Sequence, residues 1–192
     1  MIKVDQHVHT RHSSDGRDKI IDILKDAEQK GISYLCTSDH LDMDLKCGGH
    51  TPIPWKHINL DDYKAEWIEA NSTLTKNDNI NFRFGIEAGW SKEAEEIYKD
   101  LLPKYDFDCV INSVHFVYGW DVYFPQAFFF KSKDKVYSGY LDAILNSLDA
   151  PYQYDVVAHI GYVTRNAPYK DKSLKYEDYP EKFDAILKGI IE

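Results

Sequence analysis

Cysteine is scarce in this sequence, and the cysteines present form no pairing pattern. The 192 residues include three cysteines, Cys36, Cys47 and Cys109, with no CxxC spacing. An odd number of widely spaced cysteines argues against a disulfide scaffold and is typical of a reducing compartment. Cys36 and Cys109 lie in apolar runs, so we expect both to be buried as small hydrophobic residues.

Long apolar runs and an excess of basic charge are also missing. No run approaches the roughly 20 residues that a membrane-spanning helix needs, and the N-terminal residues contain no apolar signal core. A cytoplasmic protein without a membrane partner is therefore predicted. The 23 basic and 32 acidic residues give a net charge of -9, which argues against nucleic acid as the main partner. An anionic substrate still fits if metal ions reverse the local field.

No GxGxxG motif follows the first apolar run, which argues against a dinucleotide-binding sheet. Apolar runs instead alternate with amphipathic stretches five times, as parallel βα units do. The predicted strands are 2–8, 33–38, 82–87, 107–114 and 155–159. The predicted helices are 19–30, 60–74, 92–102, 133–148 and about 177–192. The predicted loops are 47–57 and 116–130. A single α/β domain over residues 1–192 follows, either as a closed barrel or as an open doubly wound sheet.

Side chains that bind metals recur at the ends of the predicted strands. In strand order these are His7 and His9, His40, Glu87, His115 and His159. A single histidine at a strand end is more often a hydrogen-bonded core residue. Imidazoles and a carboxylate that converge on one barrel mouth, however, need cations to pair with. We therefore predict a site for several metal ions at the carboxyl ends of the strands. His50 and His57 are predicted surface or substrate-loop residues, and His12 is ambiguous.

The strand-end motifs resemble those of the PHP (polymerase and histidinol phosphatase) superfamily, and within it the histidinol-phosphatase branch. The matching blocks are, in order, Val-Asp-Gln-His7-Val-His9-Thr, Thr-Ser-Asp-His40, Gly-Ile-Glu87, Ser-Val-His115-Phe and Ala-His159-Ile-Gly-Tyr. The resemblance runs from residue 2 to at least Arg165. It implies a distorted barrel of seven βα units around a trinuclear metal cluster.

The resemblance also implies an assignment of metal ligands. The implied groups are His7, His9 and Glu87 for the first ion, Glu87, His115 and His159 for the second, and Asp15 with His40 for the third. From the sequence alone, Asp15 in Ser-Ser-Asp-Gly fits a turn equally well. Sites rich in histidine and bridged by carboxylate favour zinc, iron or manganese, so two or three divalent ions of these metals are predicted.

One block of the family pattern has no counterpart in this chain. The family closes its cluster with an Asp-x-His pair on the last strand, and no such pair follows His159. We therefore expect an incomplete barrel of about five βα units that lacks the C-terminal part, as a fragment or as a natural short form. Because an open barrel edge exposes unpaired backbone, a homodimer that completes the barrel, or poor solubility, is expected.

The resemblance implies hydrolysis of a phosphate monoester, L-histidinol phosphate, to L-histidinol and phosphate in histidine biosynthesis. Glu87 is the predicted catalytic carboxylate. Arg165 is a predicted phosphate clamp because its planar fork matches phosphate oxygens, with a surface ion pair as the alternative. Asp39 or a metal-bound water is the predicted proton donor to the leaving group. Two other functions stay open, a phosphodiesterase or exonuclease and a non-catalytic metal-binding remnant.

Overall fold

The computed structural model describes residues 2–52, 54–75 and 79–191. Its strands are β1 (Val4–Val8), β2 (Tyr34–Leu41), β3 (Asn81–Gly89), β4 (Cys109–Ser113), β5 (Phe116–Val117), β6 (Trp120–Asp121) and β7 (Val156–Val157). Its α-helices are α1 (Ile20–Gln29), α2 (Leu60–Ser72), α3 (Glu95–Leu101), α4 (Lys133–Ser147) and α5 (Pro180–Ile191). Short 3₁₀ helices cover Met43–Lys46, Leu102–Lys104, Pro125–Phe128, Tyr162–Thr164 and Tyr176–Asp178.

The strands form one five-stranded sheet with the order β1-β2-β3-β4-β7, and β5 pairs with β6 in an antiparallel hairpin. β1 pairs in parallel with β2, and β2 in parallel with β3. The β2–β3 register places His40 opposite Glu87, near the carboxyl ends of both strands. The predicted α/β fold with about five parallel βα units is confirmed.

Helix α1 shows how the sequence sets the element boundaries. Ile20, Leu24 and Ala27 lie on one face of the helix and are all buried. Gly31 adopts a φ of 69°, which a residue with a side chain rarely adopts. The N–H of Gly31 donates to the carbonyl of Glu28, and the N–H of Ile32 donates to the carbonyl of Ala27. These two bonds form a Schellman motif, so the predicted stop at Gly31 is confirmed.

Two further helices begin at side-chain caps. The Asn59 side chain accepts hydrogen bonds from the N–H groups of Asp61 and Asp62 at the start of α2. The Ser132 hydroxyl accepts from the N–H of Lys135 at the start of α4. Each cap pairs backbone donors that the helix itself leaves without a partner.

Contacts between Cα atoms divide the chain into two compact units. The first comprises the described residues of Met1–Leu41, Trp55–Ala88 and Asp100–Ile111. Its core includes Leu24, Leu35, Tyr63, Phe84 and Ile86. The Tyr63 hydroxyl donates within this core to Thr37 Oγ1 at 2.7 Å or to the carbonyl of Gly85 at 2.9 Å, so α2 is fixed against the strands.

The second unit comprises the described residues of Asp42–Pro54, Gly89–Lys99 and Asn112–Glu192. Its core is rich in tyrosine, with Tyr98, Tyr137 and Tyr140 fully buried. Their hydroxyls donate to backbone carbonyls, such as that of Gly89 for Tyr98. Because a buried hydroxyl without a partner costs free energy, these bonds allow the aromatic rings to pack internally.

Several element boundaries differ from the prediction. Residues 116–130, predicted as a loop, contain the short β5–β6 hairpin and a 3₁₀ helix. Helix α3 begins at Glu95 rather than at residue 92, although the Ser91 hydroxyl accepts from the N–H of Ala94 as a cap would. The last helix begins at Pro180, a residue suited to a first turn because it lacks an N–H. Its predicted end at Glu192 and residue 53 of the predicted 47–57 loop lie outside the described residues.

No helix in the described ranges is both long enough and apolar enough to cross a membrane. Cys36 and Cys109 are buried in the first unit, as predicted, and Cys47 is half-buried in the second. The single-domain organisation over residues 1–192 stays a prediction.

Candidate metal centre

Five of the predicted ligands meet within the first unit. We call His7, His9, Asp15, His40 and Glu87 the first histidine cluster. Strand β1 contributes His7 and is followed directly by His9, and the paired strands β2 and β3 present His40 and Glu87 side by side. Asp15 comes from the loop before α1. The structure brings these five side chains together, and their role as metal ligands stays a prediction.

The carboxylate of Glu87 lies at the centre of the first histidine cluster. Its side chain is fully buried, and Oε1 lies 3.2 Å from His7 Nε2. The other oxygen, Oε2, lies 3.1 Å from His9 Nε2 and 2.9 Å from His40 Nδ1. Three imidazoles thus surround this buried carboxylate. They provide the polar contacts that it would otherwise obtain from water.

Asp15 extends the same cluster towards solvent. Its Oδ1 lies 3.0 Å from His9 Nδ1, and its Oδ2 lies 3.6 Å from His40 Nε2. The Asp15 side chain is 56% exposed, whereas that of His40 is 10% exposed. Asp15 is therefore the carboxylate of the cluster that faces water, and Glu87 is the one that does not.

The donor atoms fit the spacing that a shared metal ion requires. Donors about 2.1 Å from a tetrahedral ion lie about 3.4 Å from one another. The His7 and His9 Nε2 atoms are 3.1 Å apart, and each lies 3.1–3.2 Å from a Glu87 oxygen. A second set, His9, Asp15 and His40, has its donor atoms within 4.8 Å of one another. Both sets mix imidazole with carboxylate, as zinc, iron and manganese sites do.

The charges of the cluster are coupled. Burial lowers the pKa of His9, but hydrogen bonds to Asp15 and Glu87 outweigh it, so the pKa is raised. Burial raises the pKa of Asp15, but hydrogen bonds with His40 and His9 outweigh it, so the pKa lies well below its usual range. Without an ion, the protein therefore stabilises the positive charge of His9 and the negative charge of Asp15.

Asp39, the predicted proton donor, lies beside the cluster and is fully buried. Its Oδ1 accepts hydrogen bonds from the Thr10 N–H at 2.8 Å and the Ser13 hydroxyl at 2.6 Å. Its Oδ2 accepts from the Thr10 hydroxyl at 2.8 Å. These bonds fix the loop that follows β1, and with it His9. The role of Asp39 in proton transfer stays a prediction.

His12, which the sequence leaves ambiguous, contacts a helix. Its Nε2 lies 2.7 Å from Glu66 Oε2 in α2, and the guanidinium of Arg11 contacts the same oxygen. The other oxygen of Glu66 accepts from the N–H of Ile20 at 3.1 Å, at the start of α1. His12 thus helps to anchor this loop between two helices.

The remaining two predicted ligands meet in the second unit. The rings of His115 and His159 stack with their centroids 5.4 Å apart, and Tyr162 packs against both. His115 Nδ1 lies 2.8 Å from Asp42 Oδ1, and both side chains are nearly fully buried. A carboxylate on one ring nitrogen fixes the tautomer that presents the other nitrogen to a metal. Asp42 was not predicted, although it follows His40 closely in the acidic Leu-Asp-Met-Asp segment.

Two backbone features shape this second group. His159 has a φ of 26°, a conformation rarely adopted by residues with side chains and typical of functional sites. Gly89 lies where a Cβ atom would come within 2.0 Å of Asp42 Oδ1 and 3.1 Å of His115 Nδ1. The Asp42–His115 contact therefore requires glycine at this position.

Arg165, the predicted phosphate clamp, follows a 3₁₀ helix close to His159 in sequence. Its side chain is exposed, and its guanidinium carbon lies 5.6 Å from the centre of the Tyr123 ring. The stacking surface orients the guanidinium, while its N–H donors stay available to a ligand. His50 is exposed and contacts the ring of Trp120, and His57 is exposed, so both occupy the predicted surface positions.

Fold and cluster together define a class: a parallel α/β protein that presents histidines and carboxylates at the carboxyl ends of its strands, as metal-dependent enzymes do. The PHP domain family matches residues 5–192, and the chain belongs to that family.

Similar proteins share a common description. The chain is 28% identical to a probable histidinol-phosphatase of Clostridium acetobutylicum, over 98% of this chain and 69% of that protein. It is 27% identical to the histidinol-phosphatase of Lactococcus lactis, over 99% of this chain and 68% of that protein. The crystal structure of histidinol phosphate phosphatase from Lactococcus lactis, complexed with zinc, L-histidinol and phosphate, superposes with a TM-score of 0.87 at 26% identity. That comparison covers 98% of this chain and 69% of the other.

Proposed function

We propose that this protein hydrolyses a small phosphate monoester, L-histidinol phosphate, to L-histidinol and phosphate. The observation that carries the proposal is the first histidine cluster, in which Glu87 meets three imidazoles at 2.9–3.2 Å. Support also comes from similar proteins described as histidinol-phosphatases and from the zinc, L-histidinol and phosphate bound to one of them.

The metal content follows from the same residues. His7, His9 and Glu87 would hold one ion, and His40 with Asp15 would hold a further one. Zinc, iron and manganese are the metals that suit these donors. Such ions, when bound, lower the pKa of a coordinated water and stabilise charge on phosphate oxygens. A role of Glu87 as a bridge to a second ion on His115 and His159 stays a prediction from the family resemblance.

The protein's own groups have separate roles in this proposal. Glu87 positions the imidazoles around itself because it is buried and cannot rotate into solvent. Asp39 holds the loop that carries His9. Arg165 would bind the phosphate oxygens, and Tyr123 would orient its guanidinium. The cytoplasmic location, a role in histidine biosynthesis and a homodimer stay predictions of the sequence.

The Glu87→Gln variant tests the proposal. Replacing the carboxylate with a neutral amide removes the charge that faces the histidines, so bound metal and the rate of phosphate release should each fall by roughly 100-fold or more. Metal content is measured by mass spectrometry of the purified protein, and phosphate release from L-histidinol phosphate by a colorimetric assay. Glu96→Gln, at an exposed α3 residue that pairs with Lys99, is the matched control and should change neither value. Full metal content and full rate in Glu87→Gln would contradict the proposal.

Assays on the same purified protein distinguish the phosphatase from the two alternative functions, an exonuclease and a non-catalytic metal-binding remnant. An exonuclease would release nucleotides from single-stranded DNA faster than phosphate from L-histidinol phosphate. A metal-binding remnant would contain metal without releasing either product. Removal of the metal by a chelator should abolish phosphate release, and addition of zinc, iron or manganese should restore it.

A further inference from the structure

A pocket of about 430 Å³ lies within the second unit, and none of the predicted metal ligands is among the residues that line it. Its lining combines the segments that follow β2, β3 and β4 with one face of α4, and it includes Asp44, Trp90, Ser91, Phe116, Tyr118 and Asp142. This volume lies in the range of small-molecule sites, and the lining mixes polar and apolar side chains. None of the residues assigned to the proposed reaction lines it.

Asp44 is a buried carboxyl group in the lining of this pocket. The residue is 3% exposed, and its Oδ2 has no hydrogen-bond partner among the described residues. The Asp44 side chain also has a hydrogen bond with Ser91. Burial, together with the nearby carboxylates Asp42 and Glu93, raises its pKa to about 7. A carboxyl group buried with an unused oxygen costs free energy, which a donor placed in the pocket would recover.

Among the described residues that line the pocket, no basic side chain is placed to pair with this oxygen. Lys92 is the basic residue among those that line the pocket, and its Nζ pairs with Glu95. Asp142 is paired with Lys182. Within the described ranges, Asp44 also belongs to no group of three donor side chains close enough to share a metal ion. A metal ion is therefore a poor match, whereas a single ammonium group with its own N–H donors is a good one.

The walls of the pocket indicate what the ammonium group would be attached to. Trp90 and Phe116 are almost fully buried, while Tyr118 is half-exposed at the rim. The Trp90 Nε1–H already donates to Glu95 at 3.2 Å, so its ring presents an apolar surface. Aromatic rings bind both apolar groups and, through their faces, cations.

We propose that this pocket binds a small organic cation, a primary ammonium group on an apolar or aromatic body, with the ammonium on Asp44 and the body between Trp90 and Phe116. The residues that line this site differ from those assigned to the phosphatase reaction, so the site would be a second place where a small amine contacts the protein.

Calorimetric titration with three ammonium probes tests this inference, namely 2-phenylethylammonium, benzylammonium and butylammonium, each beside the alcohol of the same carbon skeleton. At least one ammonium should bind tenfold or more tightly than its alcohol, because only the cation pairs with the carboxylate. Asp44→Asn should remove that difference, and Asp149→Asn, at an exposed aspartate, should retain it. Ala143→Leu, which fills the pocket and leaves Asp44 intact, should weaken the ammonium and the alcohol alike.

Glu87→Gln separates this inference from the phosphatase proposal, since it should leave ammonium binding unchanged whatever it does to phosphate release. The inference is overturned if no ammonium binds at about 10 mM. It is equally overturned if alcohol and ammonium bind alike, or if Asp44→Asn binds the ammonium as the parent does. Thermal melting of each variant verifies that it is folded before binding is measured.

Discussion

His7 and His9 face each other through their Nε2 atoms at 3.1 Å, next to a buried carboxylate. Two neutral rings in this arrangement share at most one hydrogen bond, and two protonated rings repel each other. A cation among the three groups satisfies both nitrogens and the carboxylate at once. This pair, more than any single histidine, is the local arrangement that indicates a metal site.

The proposed clamp can be tested by a change that keeps the positive charge. Arg165→Lys retains the charge but loses the planar fork and the stacking on Tyr123. One lost charge-assisted hydrogen bond corresponds to about tenfold in binding, so kcat/KM for L-histidinol phosphate should fall by about tenfold while metal content stays the same. Steady-state kinetics measure the effect. Arg17→Lys, at another exposed arginine, should have no effect, and equal kinetics for the two variants would exclude the clamp.

The positions of the predicted ligands in the first histidine cluster could be inferred from the sequence to different degrees. His7, His9, His40 and Glu87 could be predicted because strand alternation and strand ends are visible in the sequence. Asp15 lies in a loop, and its sequence fits a turn as well as a ligand, so only the fold brings it to His9 and His40. Contacts of this kind depend on tertiary structure.

At the scale of elements, the main helices and strands followed from periodicity, and the β5–β6 hairpin did not. Each of its strands has two residues, too few for alternation to be detected. The hairpin is fixed instead by a distant segment, since the N–H of His50 donates to Gly119 and the N–H of Asp121 to His50. No local pattern encodes such a partner.

Helix α4 provides a test of local encoding. The Ser132 hydroxyl accepts from the N–H of Lys135 at 3.2 Å, and Ser132→Ala removes this cap. The free energy of unfolding should fall by about 1 kcal/mol, as measured by chemical denaturation. Phosphate release at a temperature well below the transition should be unchanged. Ser138→Ala, at a serine within α4 that is not its cap, is the control for the loss of a hydroxyl and should not lower the free energy of unfolding.

At the scale of the whole molecule, Asp44 links stability to pH. Its pKa of about 7 in the folded protein lies above the ordinary value of 3.8, so between these values the folded protein holds a proton that the unfolded chain has released. The contribution of Asp44 to the free energy of unfolding is therefore fully present below about pH 4. It is lost as the pH rises to about 7. About three pKa units correspond to at most about 4 kcal/mol.

The Asp44→Asn variant should remove this pH dependence. It should be more stable than the parent protein at pH 8, by up to about 4 kcal/mol, with the advantage disappearing towards pH 4. Denaturation in the presence of a chelator at several pH values measures the difference, and Asp149→Asn serves as the control. An advantage of the same size at every pH would mean that Asp44 is not protonated in the folded protein.

Gly89 has a consequence for how this protein can diverge from its relatives. A position with no side chain contributes no functional group, yet a Cβ atom here would lie only 2.0 Å from Asp42 Oδ1, so there is no room for even a methyl group. Alanine there would force Asp42 away from His115 and release the tautomer that the carboxylate fixes. Substitution at position 89 is thus restricted by the geometry of the neighbouring Asp42–His115 pair, although glycine itself contributes no reactive group.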